Sequence, residues 1–290
     1  MPAMDLDPLY IAARRVLLDA LFALDEHRSA LVLVGAQAVY LRAGDADLEA
    51  VAPFTTDADL GIDAAKLGSD PDIARAMTTA GFTLKIKSAN NGIEPGSWLA
   101  STEVDGDLIA VEVDLMVPEM LAANHGKRDA RLPEHSKNAA RWAPGLEAAV
   151  MDNDEMLIES LEPLNDRRRV ALRVAGSAAL FIAKAHKLGE RVASGRQARI
   201  KAKDAGDVLR LMRGPTGPQE IGKRLRELSR DAMCRASVQA GIRHLEQLFA
   251  TPYATGVELA VNNLASAVVE EEIRTLMPAF TGLMLETYRG

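Results

Sequence analysis

Hydrophobic positions near the start of the chain change from helical spacing to a continuous apolar run and back. From Pro8 to Glu26 the apolar residues recur with a period close to that of an α-helix. Residues 30–34 are all apolar, a pattern typical of a short buried strand, and Gly35 ends this run before a second helical stretch over residues 36–42. This order predicts a helix, a buried strand and another helix.

The segment from residue 54 to residue 63 has the alternation of a half-buried strand. Its apolar residues occupy one face, and Asp57 and Asp59 share the other. Two carboxylates about 7 Å apart on one sheet face repel each other, and a divalent ion that holds phosphate oxygens is a common reason for such a pair. A solvent-exposed strand with two acids facing water is the alternative that this segment leaves open.

A hairpin with a further acid follows this strand. The dipeptide Asp105-Gly106 is a strong turn signal between two strand-like segments. In the second of them Glu112 and Asp114 lie on the face opposite the apolar residues, so a neighbouring strand provides a third carboxylate. Helical or strand patterns in this region cover residues 70–80, 82–87, 98–104 and 108–117.

The second half of the chain is mainly helical in pattern. Residues 118–144 are polar and predict a loop with no clear site, and residues 147–161 and 168–174 predict further short strands. Helical spacing then covers residues 178–193, 203–212, 218–249 and 256–288. We therefore predict an α+β fold, with a mixed sheet and flanking helices over residues 1–175 and an all-helical domain over residues 176–290.

Composition narrows the class of protein. The chain has 290 residues, of which 48% are hydrophobic, and a net charge of -7, which argues against non-specific coating of nucleic acid. No apolar run approaches the roughly 18 residues needed to span a membrane, so we expect a cytoplasmic protein without a membrane partner. The single cysteine, Cys234, predicts a small helix residue rather than a nucleophile, and His125 and His135 lack the spacing of metal ligands.

The ordered set of motifs resembles the nucleotidyltransferase fold of the polymerase-β superfamily. Its minimal bacterial branch, which includes the AbiEii-type toxins of toxin–antitoxin pairs, has a glycine-ended strand, an Asp-x-Asp strand, a later single acid and two helical motifs. The matching segments here are Leu33-Val34-Gly35, Thr56-Asp57-Ala58-Asp59-Leu60, Val113-Asp114-Leu115, Ala185-His186-Lys187-Leu188-Gly189 and Lys203-Asp204-Ala205-Gly206-Asp207-Val208.

This resemblance implies a transferase that uses Mg²⁺, or Mn²⁺, to move a nucleotide from an NTP to an acceptor. It implies that Asp57 and Asp59 hold one metal ion on the nucleotide phosphates. Asp114 is expected to help hold a second ion and to take the proton of the acceptor hydroxyl. Lys187, with Asp204 to orient it, completes the implied catalytic residues.

The nucleotide is expected to contact residues before and after the Asp-x-Asp strand. The residues implied are Gly35, Ala36, Thr56, Lys184 and Lys187. Ala36 departs from the family pattern, in which a second Gly or Ser follows the first glycine, so a hydroxyl for the phosphates is absent. Backbone N–H groups at the helix start still offer an anion site.

The sequence says less about the acceptor of the nucleotide than about the catalytic residues. The resemblance implies a toxin that modifies a tRNA end or a protein and has a cognate antitoxin as partner. A nucleotidyltransferase acting on small molecules such as antibiotics, and a non-catalytic protein with the same fold, are the alternatives. Basic residues that suit a triphosphate or an RNA end, or that form a solvated face, are Arg167, Arg168, Arg169, Arg173, Arg191, Arg196, Arg199, Lys201 and Lys203.

Overall fold

The computed structural model describes residues 6–44, 54–87, 91–122, 128–195 and 201–290. The chain divides into two compact units. The first comprises Met1–Gln37, Ala52–Ala143 and Asn153–Val174, and the second comprises Ala38–Val51, Pro144–Asp152 and Ala175–Gly290. The division is therefore not a single cut after residue 175, because two earlier segments belong with the C-terminal helices.

A mixed sheet forms the first unit and contains eight strands within the described ranges. The order across the sheet is β3-β4-β5-β2-β1-β8-β7, and β6 pairs with β5 away from this path. The strands are β1 Leu31–Val34, β2 Asp57–Ile62, β3 Thr83–Ile86, β4 Ile93–Val104, β5 Asp107–Pro118, β6 Arg141–Ala143, β7 Asn153–Glu159 and β8 Arg169–Ala175. The α+β class with a mixed sheet is thus confirmed.

Local sequence signals account for the elements around this sheet. Helix α1, Pro8–Ala23, begins where the Asp7 side chain accepts a hydrogen bond from Leu9 N at 2.8 Å, and its buried face packs against β2, β4 and β5. The β4–β5 hairpin turns at Asp105 and Gly106, which have φ values of 52° and 87°. A two-residue hairpin loop of this kind needs positive φ at both positions, so the predicted turn is confirmed.

The strand that carries the Asp-x-Asp motif lies near the middle of the sheet. β2 runs antiparallel to β1 and parallel to β5. Its apolar residues are fully buried, whereas Asp57 and Asp59 are half-buried on the other face, as the alternation predicts. Gly35 ends β1 and opens helix α2, Gly35–Ala43, and helix α3, Ile73–Thr79, precedes β3.

One short helix before β7 and the helices after β8 belong to the described part of the second unit, and several of their bounds differ from the prediction. The helices are α4 Glu147–Met151, α5 Ser177–Ala193, α6 Ala202–Arg213, α7 Pro218–Leu228, α8 Arg235–Phe249, α9 Thr255–Leu264 and α10 Glu270–Arg289. In the helices that the structure describes, no segment combines the length and apolar character needed to cross a membrane.

Three of the predicted elements are wrong in their bounds. Residues 218–249 form two helices because the Asp231 side chain accepts a hydrogen bond from Met233 N at 2.8 Å and competes with the helical pattern. Residues 256–288 also form two helices, and three glutamates at the start of α10 favour a new N-terminus there. The strand predicted within residues 147–161 is confirmed as β7, but its first residues, Glu147–Met151, form helix α4 instead.

Candidate metal and nucleotide site

Acidic residues from two neighbouring strands share one face of the sheet. The parallel register of β2 and β5 pairs Asp57 with Glu112 and Asp59 with Asp114. In both strands these acids alternate with apolar residues that are buried on the opposite face. Because adjacent strands lie about 4.8 Å apart, Asp59 and Asp114 are direct lateral neighbours. The sheet therefore places the three predicted aspartates together.

Gly35 lies beside the second of these aspartates. Val34, the last residue of β1, pairs with Asp59, and Gly35 has a φ of 70°. A Cβ atom on Gly35 would overlap the Asp59 carboxylate. Both the backbone conformation and the close approach therefore require glycine here. The glycine-ended strand thus brings the N-terminus of α2, where partial positive charge accumulates, next to the acidic face.

The residues that follow Gly35 face the protein core instead of a ligand. Ala36 is buried, and the Gln37 side chain is 1% exposed. Gln37 accepts a hydrogen bond from Arg14 Nε at 2.7 Å and donates one to the main-chain oxygen of Asp57 at 3.3 Å. Any phosphate contact at the start of α2 therefore depends on backbone N–H groups.

Threonines precede the first aspartate of β2. The Thr55 hydroxyl donates to Asp57 Oδ1 at 2.5 Å, and Thr55 itself is buried. Thr56, which the sequence predicts as a nucleotide contact, is exposed to solvent. The hydrogen bond from Thr55 therefore orients the Asp57 carboxylate.

Asp114 is held by two side chains from neighbouring strands. Its Oδ1 accepts a hydrogen bond from Ser97 Oγ at 2.6 Å, and its Oδ2 forms an ion pair with the Arg141 guanidinium. Burial raises the pKa of Asp114 to about 6; Asp59 adds to this rise, and Arg141 and Ser97 oppose it. A carboxylate whose pKa lies near neutrality is well suited to accept a proton from a hydroxyl.

Arg141 is the residue of this site that the sequence pattern did not reveal. It lies in the segment predicted to be a loop with no clear site, and that prediction is wrong at β6. β6 pairs in parallel with β5, with Arg141 opposite Met116. A three-residue strand is too short to show a periodic pattern, so only a lone basic residue beside Trp142 was available as a signal.

Asp57 and Asp59 are the residues of this face that could hold a metal ion together with ligands from outside the chain. Among the described residues, no group of three or more His, Cys, Asp or Glu side chains is arranged to hold a metal ion by itself. Mg²⁺ is usually held by one or two carboxylates, and waters and substrate phosphates complete its octahedron. Asp57 and Asp59 supply two such carboxylates on one face. Glu112 is engaged elsewhere, since Lys85 Nζ lies 2.7 Å from its Oε2.

The predicted residues of the helical unit contact one another through a buried network of ion pairs. Lys184 is 4% exposed, and its Nζ donates to Asp204 Oδ1 at 3.0 Å and to Asp207 Oδ2 at 2.5 Å. Asp204 also lies 3.1 Å from Lys187 Nζ and accepts from Arg191 at 2.7 Å. Burial alone would raise the pKa of Asp204, but these cations outweigh it and hold that pKa well below its usual range.

The two lysines of this cluster differ in their access to solvent. The Lys184 ammonium is committed to two buried carboxylates, and these raise its pKa despite the opposing effect of burial. The Lys187 side chain is 38% exposed. Of the two predicted nucleotide-binding lysines, Lys187 is therefore the one that solvent reaches, and its role in nucleotide binding stays a prediction.

Part of the predicted basic surface is used inside the protein. Arg168 pairs with Asp19 and Asp166, which raise the pKa of its guanidinium. Arg173 donates to the main-chain oxygen of Ser29 at 2.6 Å. These contacts stabilise the fold and reduce the charge available to a ligand. The predicted residues that lie outside the described ranges are His125, Arg196 and Arg199.

The other candidate groups are structural. His135 Nδ1 accepts a hydrogen bond from Ile73 N at 3.2 Å, and its Nε2 lies 3.0 Å from the main-chain oxygen of Gly68. The histidine therefore joins two loop segments. Burial raises the pKa of the Cys234 thiol to about 12, so this cysteine is protonated and unreactive at neutral pH.

Comparisons with known proteins assign no family to this chain. No protein-family model matches it, and a search of the curated proteins returns no similar sequence. The functional argument therefore depends on the chemistry of the acidic sheet face.

Proposed function

We propose that this protein is a Mg²⁺-dependent nucleotidyltransferase that moves a nucleotide from an NTP to an acceptor hydroxyl. The observation that carries the proposal is the lateral pairing of Asp59 with Asp114, with Asp57 on the same face. Gly35 adds a helix N-terminus beside these carboxylates. Acids that bind a divalent ion and backbone N–H groups that attract phosphate are the two features that triphosphate chemistry needs.

Each residue has a defined part in this proposal. Asp57 and Asp59 would hold Mg²⁺, which would supply positive charge to the nucleotide phosphates. The glycine at position 35 makes room for the Asp59 carboxylate beside the start of α2, whose backbone N–H groups would attract the phosphates. Ser97 and Thr55 orient the carboxylates of Asp114 and Asp57 through their hydroxyl groups.

The reaction transfers a nucleotidyl group. The acceptor oxygen attacks the α-phosphorus, the bond from that phosphorus to the bridging oxygen breaks, and pyrophosphate leaves. Asp114 takes the proton of the acceptor hydroxyl. Burial and the neighbouring Asp59 raise the pKa of Asp114 to about 6, which suits this carboxylate to accept a proton.

The acceptor is proposed from the family resemblance. The minimal nucleotidyltransferases that the chain resembles point to a tRNA end or a protein as acceptor and to a cognate antitoxin as partner. The net charge of -7 gives no general attraction to nucleic acid, so an RNA acceptor would be recognised through a local surface.

Transfer of label from each α-³²P NTP tests the proposal. The purified chain is incubated with Mg²⁺, total tRNA and a total protein extract, and labelled products are separated by gel. We expect labelled tRNA or protein with the wild-type chain and none with Asp57→Asn. Asp70→Asn is the matched control because its side chain is 83% exposed and lies away from β2.

The outcomes separate catalysis from folding. Asp57→Asn should melt within a few degrees of the wild-type chain, because it replaces a half-buried carboxylate with a group of the same shape. Equal label transfer by Asp57→Asn and the wild-type chain, or no transfer by any chain with any NTP, would refute the proposal.

A further inference from the structure

A buried amide connects helix α2 to the strand that carries the Asp-x-Asp motif. Gln37 is 1% exposed and lies two residues after Gly35, in the first turn of α2. Its Nε2 donates to the main-chain oxygen of Asp57 at 3.3 Å, and its Oε1 accepts from Arg14 Nε at 2.7 Å. One side chain therefore joins the start of α2, the first aspartate of β2 and helix α1.

The chemistry of the two partners fixes the direction of this amide. A guanidinium only donates hydrogen bonds and a main-chain oxygen only accepts them, so the amide oxygen faces Arg14 and the amide nitrogen faces Asp57. We propose that Gln37 is a positioning residue that holds Asp57 for metal binding, and that Arg14 holds the Gln37 amide in the required direction. This inference rests on the proposed function, in which Asp57 is a metal ligand.

Gln37 contacts the main chain of β2 past the last residue pair that this strand forms with β1. That pair is Val34 with Asp59, whereas β2 begins two residues earlier, at Asp57. On its other side β2 pairs with β5, where Asp57 lies opposite Glu112. Pairing with β5 and the hydrogen bond from Gln37 therefore both hold the main chain at the first aspartate.

Arg14 is a buried cation, and its hydrogen bonds in the described part of the chain all go to neutral groups. It is 3% exposed and, besides Gln37, it donates to the main-chain oxygen of Glu159 at 2.9 Å and to the hydroxyl of Tyr10 at 3.1 Å. Burial lowers the pKa of its guanidinium, and Tyr10 opposes this change. A carboxylate at position 37 would give this buried cation an opposite charge, which favours folding.

Gln37→Glu tests the inference because it separates the position of Asp57 from the stability of the fold. The carboxylate still accepts from Arg14 but cannot donate to the main-chain oxygen of Asp57. Mn²⁺ alone is titrated into the full chain, and binding is measured from the loss of the free-ion electron paramagnetic resonance signal. We expect an affinity about tenfold lower than that of the wild-type chain, with an equal or higher melting temperature.

The added negative charge makes this expectation specific. Charge alone would attract Mn²⁺ more strongly, so a lower affinity reports the displacement of Asp57. Gln239→Glu is the matched control, because it makes the same chemical change at an exposed position of α8. We expect this control to bind Mn²⁺ and to melt as the wild-type chain does.

The outcomes distinguish this inference from the proposed function. An Mn²⁺ affinity of Gln37→Glu equal to or above the wild-type value would overturn the inference, and so would a loss of affinity that comes with a lower melting temperature. If Gln37→Glu does not fold, unchanged Mn²⁺ affinity in Gln37→Met, which also lacks the donor, would overturn it. Weaker binding by Gln37→Glu, without nucleotide transfer by the wild-type chain to any acceptor, would overturn only the proposed function.

Discussion

Two buried aspartates, one in each unit, have opposite electrostatic environments. Burial and the neighbouring Asp59 raise the pKa of Asp114 to about 6, although Arg141 opposes the rise. Burial acts in the same direction on Asp204, but three cationic side chains of α5 outweigh it and hold the pKa well below its usual range. The two sites bury similar groups and differ in how much positive charge the protein supplies.

This difference indicates different roles for the cluster around Asp204 and the acidic sheet face around Asp114. The helical cluster contains a cation for each carboxylate and needs no ligand, which is typical of a structural ion-pair network. On the sheet face Asp57, Asp59 and Asp114 come from two neighbouring strands, and Asp114 pairs with Arg141. These acids lie next to the N-terminus of α2, and this arrangement is the basis of the proposed metal and phosphate site.

Asp59→Asn should have the largest effect, and we expect this effect on activity. Nucleotide transfer should fall by about 10³-fold or more, which corresponds to roughly 4 kcal/mol of transition-state stabilisation. Removal of the repulsion between Asp59 and Asp114 acts to raise the free energy of unfolding. Label transfer and thermal unfolding measure the two quantities, with Asp70→Asn as control. Unchanged transfer would contradict the assignment of Asp59 to the site.

Lys184→Met should act on stability instead of activity, because it should destabilise the helical unit. It leaves two buried carboxylates with less compensation, and we expect a loss of about 3 kcal/mol in the free energy of unfolding. This is the lower end of the range for such changes, because Asp204 keeps Lys187 and Arg191.

The matched control for this change is in the same cluster. Lys187→Met removes a partly exposed lysine and should cost less than about 1 kcal/mol. Urea unfolding followed by far-ultraviolet circular dichroism measures both variants. Equal losses for the two lysines would show that burial of Lys184 does not determine the strength of the network.

Acid pH should weaken the helical unit through Asp204. Its folded-state pKa lies below the unfolded value of about 3.9, so the stabilisation is complete above that value and decreases as the pH falls towards the folded pKa. Asp204→Asn should therefore reduce the difference in urea midpoint between pH 7 and pH 3. The helical signal at 222 nm measures the midpoint. An unchanged difference would indicate that other acids cause the loss.

Ser97→Ala should have the smallest effect of the four. It removes the hydrogen bond to Asp114 Oδ1 but leaves the ion pair with Arg141. A hydrogen bond to a charged group contributes about 1.5 kcal/mol, so we expect transfer to fall about tenfold. Ser97→Thr, which keeps a hydroxyl, should recover part of the activity. A drop as large as that of Asp59→Asn would mean that Ser97 has more than an orienting role.

Patterns in the sequence were sufficient for the centre of the sheet. The apolar run before Gly35 and the alternation around Asp57 and Asp114 correctly predict β1, β2 and β5, because a strand repeats its environment every second residue. The helix breaks near Asp231 and before α10 were not predicted. At these points side-chain hydrogen bonds and N-terminal charges compete with a helical pattern that continues in the sequence.

The sequence by itself determined which residues are acidic, which strands carry them and on which face they lie. Only the tertiary structure decided that Asp59 and Asp114 are lateral neighbours, that Arg141 pairs with Asp114 and that Lys184 is buried whereas Lys187 is partly exposed. The physical reason is the distance along the chain between the residues that determine each property. Periodicity is a property of adjacent residues, whereas strand pairing, burial and the pKa of a carboxylate depend on groups far apart in the chain.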